Sequence, residues 1–201
     1  MARPKASTGV KTADRILDES LALIARLGYA AVSMRMIADA VGVNASAIYN
    51  HFPTKQAILH RLMADHMTGL LDAWQGEITT GMTPAATLAH FARFHIRYNI
   101  ARPDQVFISY MELRALEPDN FETIETLRRE YEQIPRSIID AGQASGQFEI
   151  DDAHVATMAV LASLTGVNTW FKTTGRLSAK DIENTYAAFI LRAVGCKLEE
   201  L

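Results

Sequence analysis

The chain has 201 residues, of which 49% are hydrophobic and 21% charged, a balance that excludes a disordered chain and allows one domain or two small ones. No window approaches the roughly 18 uninterrupted apolar residues of a membrane span, and the single cysteine, Cys196, excludes an internal disulfide. Because the start also lacks the apolar run of a signal peptide, we expect a cytoplasmic protein with no membrane partner.

The net charge of −3 is distributed unevenly along the chain. The first 60 residues contain seven basic and four acidic residues, and the remainder contains 13 basic and 19 acidic ones. A basic front and an acidic rear are typical of a DNA-binding module attached to a part with another task.

Three short helices are predicted at the front of the chain. Apolar side chains recur at helical spacing over 12–27 and 34–41. Gly28 and Gly42 end these two helices, because glycine adopts the left-handed conformation that closes a helix at low steric cost. A third helix is predicted over 45–52.

The rest of the chain predicts six further helices, and Pro135 should kink or split the helix that contains it. No alternating strand pattern occurs, so we expect an all-α fold of about nine helices. A three-helix helix-turn-helix domain at 1–55 is expected to join a C-terminal helical bundle at 56–201. The six further helices are predicted over 54–76, 84–101, 103–116, 119–141, 152–173 and 179–194.

The segment 33–55 has the arrangement of a helix-turn-helix, whose second helix enters the major groove while the first braces it across the backbone. Its distinctive residues are Ser33, Arg35, Ile37–Ala38, Gly42–Val43, Tyr49–Phe52 and Lys55. Their types and spacing closely resemble the signature of the tetracycline-repressor (TetR) family of transcriptional regulators. The length of the chain and its all-helical remainder are similar to that family's two-domain plan.

The resemblance implies contacts between individual residues and double-stranded DNA. Ser33 and Arg35 are expected to touch phosphate or the groove edge. Tyr49 and His51 are expected to contact the backbone, and Lys55 to anchor a phosphate. Such contacts fix the position of the protein on DNA without reading sequence.

Base recognition is expected from the start and the exposed face of the recognition helix. The position of Ala45 is often basic in the family, so a common contact is missing here. A mobile N-terminal arm that carries Arg3, Lys5 and Lys11 is expected to supply part of the attraction to DNA. The expected base-reading residues are Asn44, Ala45, Ser46 and Asn50.

Aromatic and polar side chains alternate over 91–114. Helical bundles use such a combination of side chains to line a cavity for a small ligand. The same stripe also fits a plain core. In TetR relatives such a cavity binds the inducer, and 166–186 resembles the tail of relatives that respond to fatty acyl-coenzyme A or related lipid catabolites. Drugs, flavonoids or other apolar effectors fit equally. The expected ligand-binding residues are Phe91, Phe94, His95, Tyr98, Phe107, Tyr110, Arg114 and Trp170.

Small residues recur along the predicted helix after 152, which permits close approach of another helix. The family resemblance implies a homodimer formed through the last two helices, and two copies would bind the two half-sites of a palindromic operator. A purely intramolecular core is the alternative. The expected interface residues are Ala156, Ala159, Ser163, Gly166, Trp170, Ile182, Tyr186 and Phe189.

An enzyme is the main rival class, and the sequence argues against it. The histidines show no metal-ligand pairing, no inward Glu-x-x-His pair exists, and no phosphate loop or G-x-S-x-G occurs. We therefore expect no cofactor, no metal and no catalytic residue. A DNA-binding regulator without a small-molecule ligand, acting constitutively or through a protein partner, stays an open alternative.

Overall fold

The structure is a computed structural model that describes residues 6–196, with side chains from residue 11. Over those residues it is all-helical, with nine α-helices and three short 3₁₀ helices, as the sequence predicts. The α-helices are α1 (Ala6–Leu27), α2 (Met34–Val41), α3 (Ala45–Tyr49), α4 (Lys55–Gln75), α5 (Pro84–Ile100), α6 (Pro103–Met111), α7 (Pro118–Ala144), α8 (Ala153–Gly166) and α9 (Ala179–Ala193). The 3₁₀ helices are Tyr29–Ala31, Leu113–Ala115 and Val167–Thr169.

Local capping residues explain most helix starts. The Ser33 side chain accepts from the backbone N–H of Met36, and Thr83 accepts from that of Ala86. Ser178 and Asp181 form a reciprocal capping box at the start of α9. These hydrogen bonds also lower the pKa of the Asp181 carboxyl group. Short-range signals of this kind are why the predicted starts are close to the observed ones.

Several predicted helix ends are wrong. Helix α1 starts at Ala6, earlier than the predicted start at residue 12, while Arg3 and Lys5 of the expected arm lie outside the described residues, so the arm stays a prediction. Helix α3 stops at Tyr49 and α8 at Gly166, both earlier than predicted. Helix α7 is not split at Pro135, and the kink expected there stays a prediction. The proline ring is buried, and packing on that face offsets the loss of one backbone donor.

The described chain divides into two compact units. Unit 1 comprises the residues up to Met67 together with Asp104–Glu125, and unit 2 comprises Thr68–Pro103 and the residues from Thr126 onwards. This division of packing differs from the predicted boundary at residue 55, since α6 and the start of α7 belong to the same unit as α1 to α3. The assignment of functions to 1–55 and 56–201 stays a prediction.

Each unit has its own apolar core. In unit 1, α1, α2 and α3 pack around fully buried isoleucines, Ile16, Ile24, Ile37, Ile48 and Ile58. In unit 2, α5 is the central helix and packs mainly on α9 and also on α8, through buried residues that include Leu88, Phe91, Ile96, Leu164, Ile182 and Ile190. No helix in the described residues is long and apolar enough to cross a membrane.

Candidate nucleic-acid interface and effector cavity

Helices α2 and α3 form a helix-turn-helix in unit 1. Gly42 has φ 75° and ψ 37°, and its N–H donates to the carbonyls of Ala38 and Asp39, so it closes α2 in the left-handed conformation. Ile37 on α2 and Ile48 on α3 are fully buried. The turn and these two side chains fix the direction of α3 relative to α2.

The opposite face of α3 is exposed, and 53% of the Tyr49 surface is accessible. Asn44 occupies the N-cap position of α3, but its side chain makes no capping hydrogen bond. Its amide group is therefore not used to cap the helix. The structure places the expected DNA-contacting residues as follows: Ser33, Arg35, Asn44, Ala45, Ser46, Tyr49 and Asn50 are exposed, and His51 and Lys55 are half-buried.

Lys55 differs from the expected phosphate anchor, because its ammonium group binds within the protein. The Nζ atom donates to the carbonyl of Tyr29 at 2.8 Å and to that of Val32 at 2.7 Å. It also lies 4.0 Å from the centroid of the Tyr29 ring. Burial lowers the pKa of this amine, and the nearby Glu112 carboxylate opposes that shift. Two of the three ammonium donors thus stabilise the 3₁₀ helix at 29–31.

Three further polar residues hold unit 1 together, and the sequence analysis missed all of them. Arg15 donates to the carbonyl of Val41, at the C-terminus of α2, at 2.6 Å. The Glu112 carboxylate accepts from the backbone N–H of Tyr29 at 2.9 Å. Gln56 donates to the carbonyl of Ala115, and its carbonyl oxygen accepts from the N–H of residue 117. These partners are far apart in sequence, so no local pattern reveals them.

His95, expected to be a polar ligand anchor, lies in a closed polar cluster within unit 2. It is 2% exposed, and its Nδ1 atom lies 2.8 Å from the Tyr131 hydroxyl. Its Nε2 atom lies 3.0 Å from Thr165 Oγ1 and 2.8 Å from Asn99 Nδ2. The imidazole is therefore satisfied by protein groups, which is the usual state of a buried histidine.

The other expected ligand residues are divided between the two units. Phe91, Phe94 and Tyr98 are buried in the core of unit 2, where Trp74 packs on the first two with ring centroids 5.2 and 5.3 Å away. Trp170 is exposed in unit 2. The remaining three, Phe107, Tyr110 and Arg114, belong to unit 1 and are exposed.

A cavity of about 480 Å³ lies in unit 2, between the end of α4, the start of α5 and the middle of α7. None of the eight expected ligand residues lines it. Its wall combines apolar side chains with hydroxyl groups, two carboxylates and one imidazole. The lining residues are Leu71, Asp72, Trp74, Gln75, Ile78, Thr79, Met82, Thr87, His90, Glu130, Ile134, Ser137 and Ile138.

The expected dimer residues lie in unit 2 and are exposed or half-buried, with one exception. Trp170 stacks on Tyr186 with ring centroids 6.3 Å apart, and Tyr186 packs edge-on against Phe189. On α8, Ala159 is exposed, while Ala156, Ser163 and Gly166 are half-buried. The exception is Ile182, which is only 1% exposed and belongs to the core of its own unit.

Two helices joined by a glycine-closed turn, with one face of the second helix exposed, have the arrangement of a helix-turn-helix, a class of DNA-binding module. Residues 16–62 match the family model described as bacterial regulatory proteins of the tetR family, and residues 81–194 match the one described as the tetracyclin repressor-like C-terminal domain. The chain belongs to the TetR family of transcriptional regulators.

Relatives of known identity cover nearly the whole chain. The transcriptional repressor KstR2 of Mycolicibacterium smegmatis is 26% identical over 183 residues, which are 90% of this chain and 89% of that protein. A tetR-family regulatory protein from Rhodococcus RHA1 is 26% identical, with a TM-score of 0.88 over 93% of this chain and 98% of that one. AibR, solved with isovaleryl coenzyme A and operator DNA, shares the fold at 21% identity, with a TM-score of 0.82 over 89% and 97% of the two chains.

The internal contacts of Lys55 lead to a stability prediction. Replacement of Lys55 by Met removes the donor to two partly buried carbonyls, so the free energy of unfolding should fall by about 1–3 kcal/mol. Urea denaturation without DNA measures this loss, and Lys172→Met, at an exposed lysine of unit 2, is the control. Unchanged stability combined with weak operator binding would assign Lys55 to phosphate instead.

Proposed function

We propose that the protein is a repressor that binds a palindromic operator as a homodimer in the cytoplasm and is released by a small apolar effector bound in the unit 2 cavity. The exposed face of α3 is the observation that carries the DNA-binding part. The cavity supports the effector part, and the exposed aromatic surface around Trp170 supports the dimer.

DNA binding by α3 depends on hydrogen bonds more than on charge. The exposed residues of α3 and its flanks are asparagine, serine, alanine and tyrosine. The Tyr49 hydroxyl is suited to donate to a phosphate oxygen, and the Asn50 amide is suited to pair with the edge of an adenine. One such helix gives modest affinity, so two copies at half-sites about one helical turn apart are needed for tight binding.

Tyr49 and Asn50 should therefore contribute differently to DNA binding. Tyr49→Ala should weaken binding to specific and random DNA alike, by about tenfold, because it removes a phosphate contact. Asn50→Ala should mainly reduce the preference for the selected operator, by about 1–3 kcal/mol. Selection from randomised DNA followed by titration at fixed salt measures both. Equal loss of discrimination in the two variants would contradict this division of roles.

The dimer proposal rests on apolar groups that one copy leaves uncovered. Val155, at the start of α8, is 63% exposed, and Phe189, on α9, is 49% exposed. A Cβ atom added at Gly166 would meet nothing within 4 Å, so space remains above α8. Aromatic residues clustered on one surface are typical of the centre of a protein interface.

A single charge on this surface should dissociate the dimer. Phe189→Glu would place a carboxylate in an apolar contact, so the dissociation constant should rise at least about a hundredfold. Sedimentation velocity measures the change, and Phe121→Glu, at an exposed phenylalanine of unit 1, is the matched control. A Phe189→Glu protein that sediments as a dimer at the same concentrations would exclude this surface.

The effector proposal rests on the cavity and its composition. Its volume of about 480 Å³ lies within the range of roughly 300–1,000 Å³ that small-molecule sites have. Apolar residues such as Leu71, Trp74 and Ile134 form much of the wall. AibR was solved with isovaleryl coenzyme A, which supports a fatty acyl-coenzyme A or another lipid catabolite as the effector. An effector that binds one form of the dimer better shifts the population towards that form.

Filling the cavity should separate DNA binding from the effector response. We expect at least one acyl-coenzyme A in a series from isovaleryl to palmitoyl to weaken operator binding by tenfold or more, about 1.4 kcal/mol of coupling. Ile134→Trp should bind the operator normally but lose this response, because the indole occupies the cavity. Fluorescence anisotropy with labelled operator measures both. If no ligand alters operator affinity, regulation by a protein partner or constitutive binding would replace the effector.

A further inference from the structure

The cavity wall carries two negative side chains on different helices. Asp72 lies on α4 and Glu130 on α7, and both are exposed. Exposed carboxyl groups are ionised at neutral pH. The described wall contains no lysine or arginine. A ligand in the cavity therefore meets two negative charges with no cationic side chain on the wall to balance them.

His90 is the imidazole of the wall, and it is held by a carboxylate outside the wall. Its Nε2 atom lies 3.1 Å from Glu77 Oε2 and 3.1 Å from the Glu77 carbonyl oxygen. The other Glu77 oxygen accepts from Arg97 Nη2 at 2.7 Å. Arg97 also lies 3.6 Å from Glu183. The imidazole Nε2 atom and the Arg97 guanidinium group are thus held by protein groups.

The hydroxyl groups of the wall also favour one kind of ligand. Thr87 Oγ1 donates to the Thr83 carbonyl at 2.9 Å, and Ser137 Oγ donates to the Ile134 carbonyl at 2.9 Å. Each hydroxyl has one proton, which these bonds use, so each oxygen can only accept from a ligand. The wall thus carries acceptor groups that include the two carboxylates and these two hydroxyls, beside the Gln75 amide, which can both donate and accept.

We propose that Asp72 and Glu130 determine the specificity of the cavity: they select apolar effectors whose bound part carries no negative charge, favour those that also carry a hydrogen-bond donor, and reject free carboxylates. The inference rests on the proposed effector function. A hydroxyl or ammonium group satisfies the acceptors of the wall, whereas a carboxylate adds a third negative charge and has no proton to donate. Lipid catabolites with an alcohol or amine fit this class, and free fatty acids do not.

The size of the discrimination follows from Coulomb's law in a partly solvated cavity. At about 6–8 Å and an effective dielectric constant of about 40–80, each repulsive pair weakens binding by roughly threefold to tenfold. Asp72 and Glu130 together should make a ligand with a carboxylate head group bind at least about tenfold more weakly than an alcohol with the same chain. Salt should reduce this difference, because the two groups are exposed.

Three ligands with the same number of carbon atoms and different head groups test the inference. They are octanol, octylamine and octanoate. Isothermal titration of the wild-type protein should show octanol and octylamine binding at least about tenfold more tightly than octanoate. In the double variant Asp72→Asn, Glu130→Gln, the dissociation constant of octanoate should come within about threefold of that of octanol. The dissociation constant of octylamine should rise by about threefold or more. Glu132→Gln, on α7 but outside the cavity wall, is the control and should behave like the wild type.

The outcomes separate this inference from the function on which it rests. Octanoate binding to the wild type as tightly as octanol, or a difference that persists in the double variant, would overturn the specificity role and leave the effector cavity in place. If none of the three ligands binds the wild-type protein, the specificity role is overturned, whereas the effector function fails only if the acyl-coenzyme A series also leaves operator affinity unchanged. Circular dichroism confirms that the variants are folded before titration.

Discussion

The position of α3 is the constraint on which DNA recognition depends. A helix of five residues is too short to be stable in water by itself. Ile48 anchors it in the core of unit 1, and the left-handed conformation of Gly42 sets the turn that precedes it. With the buried side fixed, the exposed side consists of small and polar residues, which the proposed function assigns to contact with DNA.

Rigidity around this helix comes from polar groups at helix ends. Arg15 binds the carbonyl end of α2, Lys55 binds two carbonyls next to the 3₁₀ helix at 29–31, and Glu112 binds the first N–H of that 3₁₀ helix. Glu112 and Ala115 lie in the segment Asp104–Glu125, which packs in unit 1 although its neighbours in sequence belong to unit 2. The backbone thus passes between the units at three points, and α4 and α7 contribute residues to both. The proposed effector cavity in unit 2 is thus joined covalently to unit 1 through these two helices.

Features encoded by neighbouring residues could be predicted from the sequence. The closure of α2 at Gly42 depends on residues within one turn, and the structure confirms it. The exposed face of the recognition helix was expected from the helix-turn-helix arrangement of 33–55. The family resemblance supplied the fold class and the DNA-contact expectations, and the family models confirm the membership.

Features that depend on distant residues could not be predicted. Lys55 lies 26 residues from Tyr29, and His95 lies 36 residues from Tyr131. Whether a polar side chain in a bundle is free for a ligand or satisfied by the core depends on such partners. For the same reason, the aromatic stripe from Phe91 to Tyr98 is core, and the cavity lies beside Trp74 and Ile134. Helical spacing predicts which face of a helix is buried, but it does not predict where the packing of helices leaves a cavity.

The central claim is that two copies of this chain place their α3 helices on one symmetric operator. Hydroxyl-radical footprinting of the purified protein on a selected operator tests it most directly. We expect two protected half-sites of the same sequence in inverted orientation, about one helical turn apart. Protection of a single half-site, or uniform protection without sequence preference, would contradict the account.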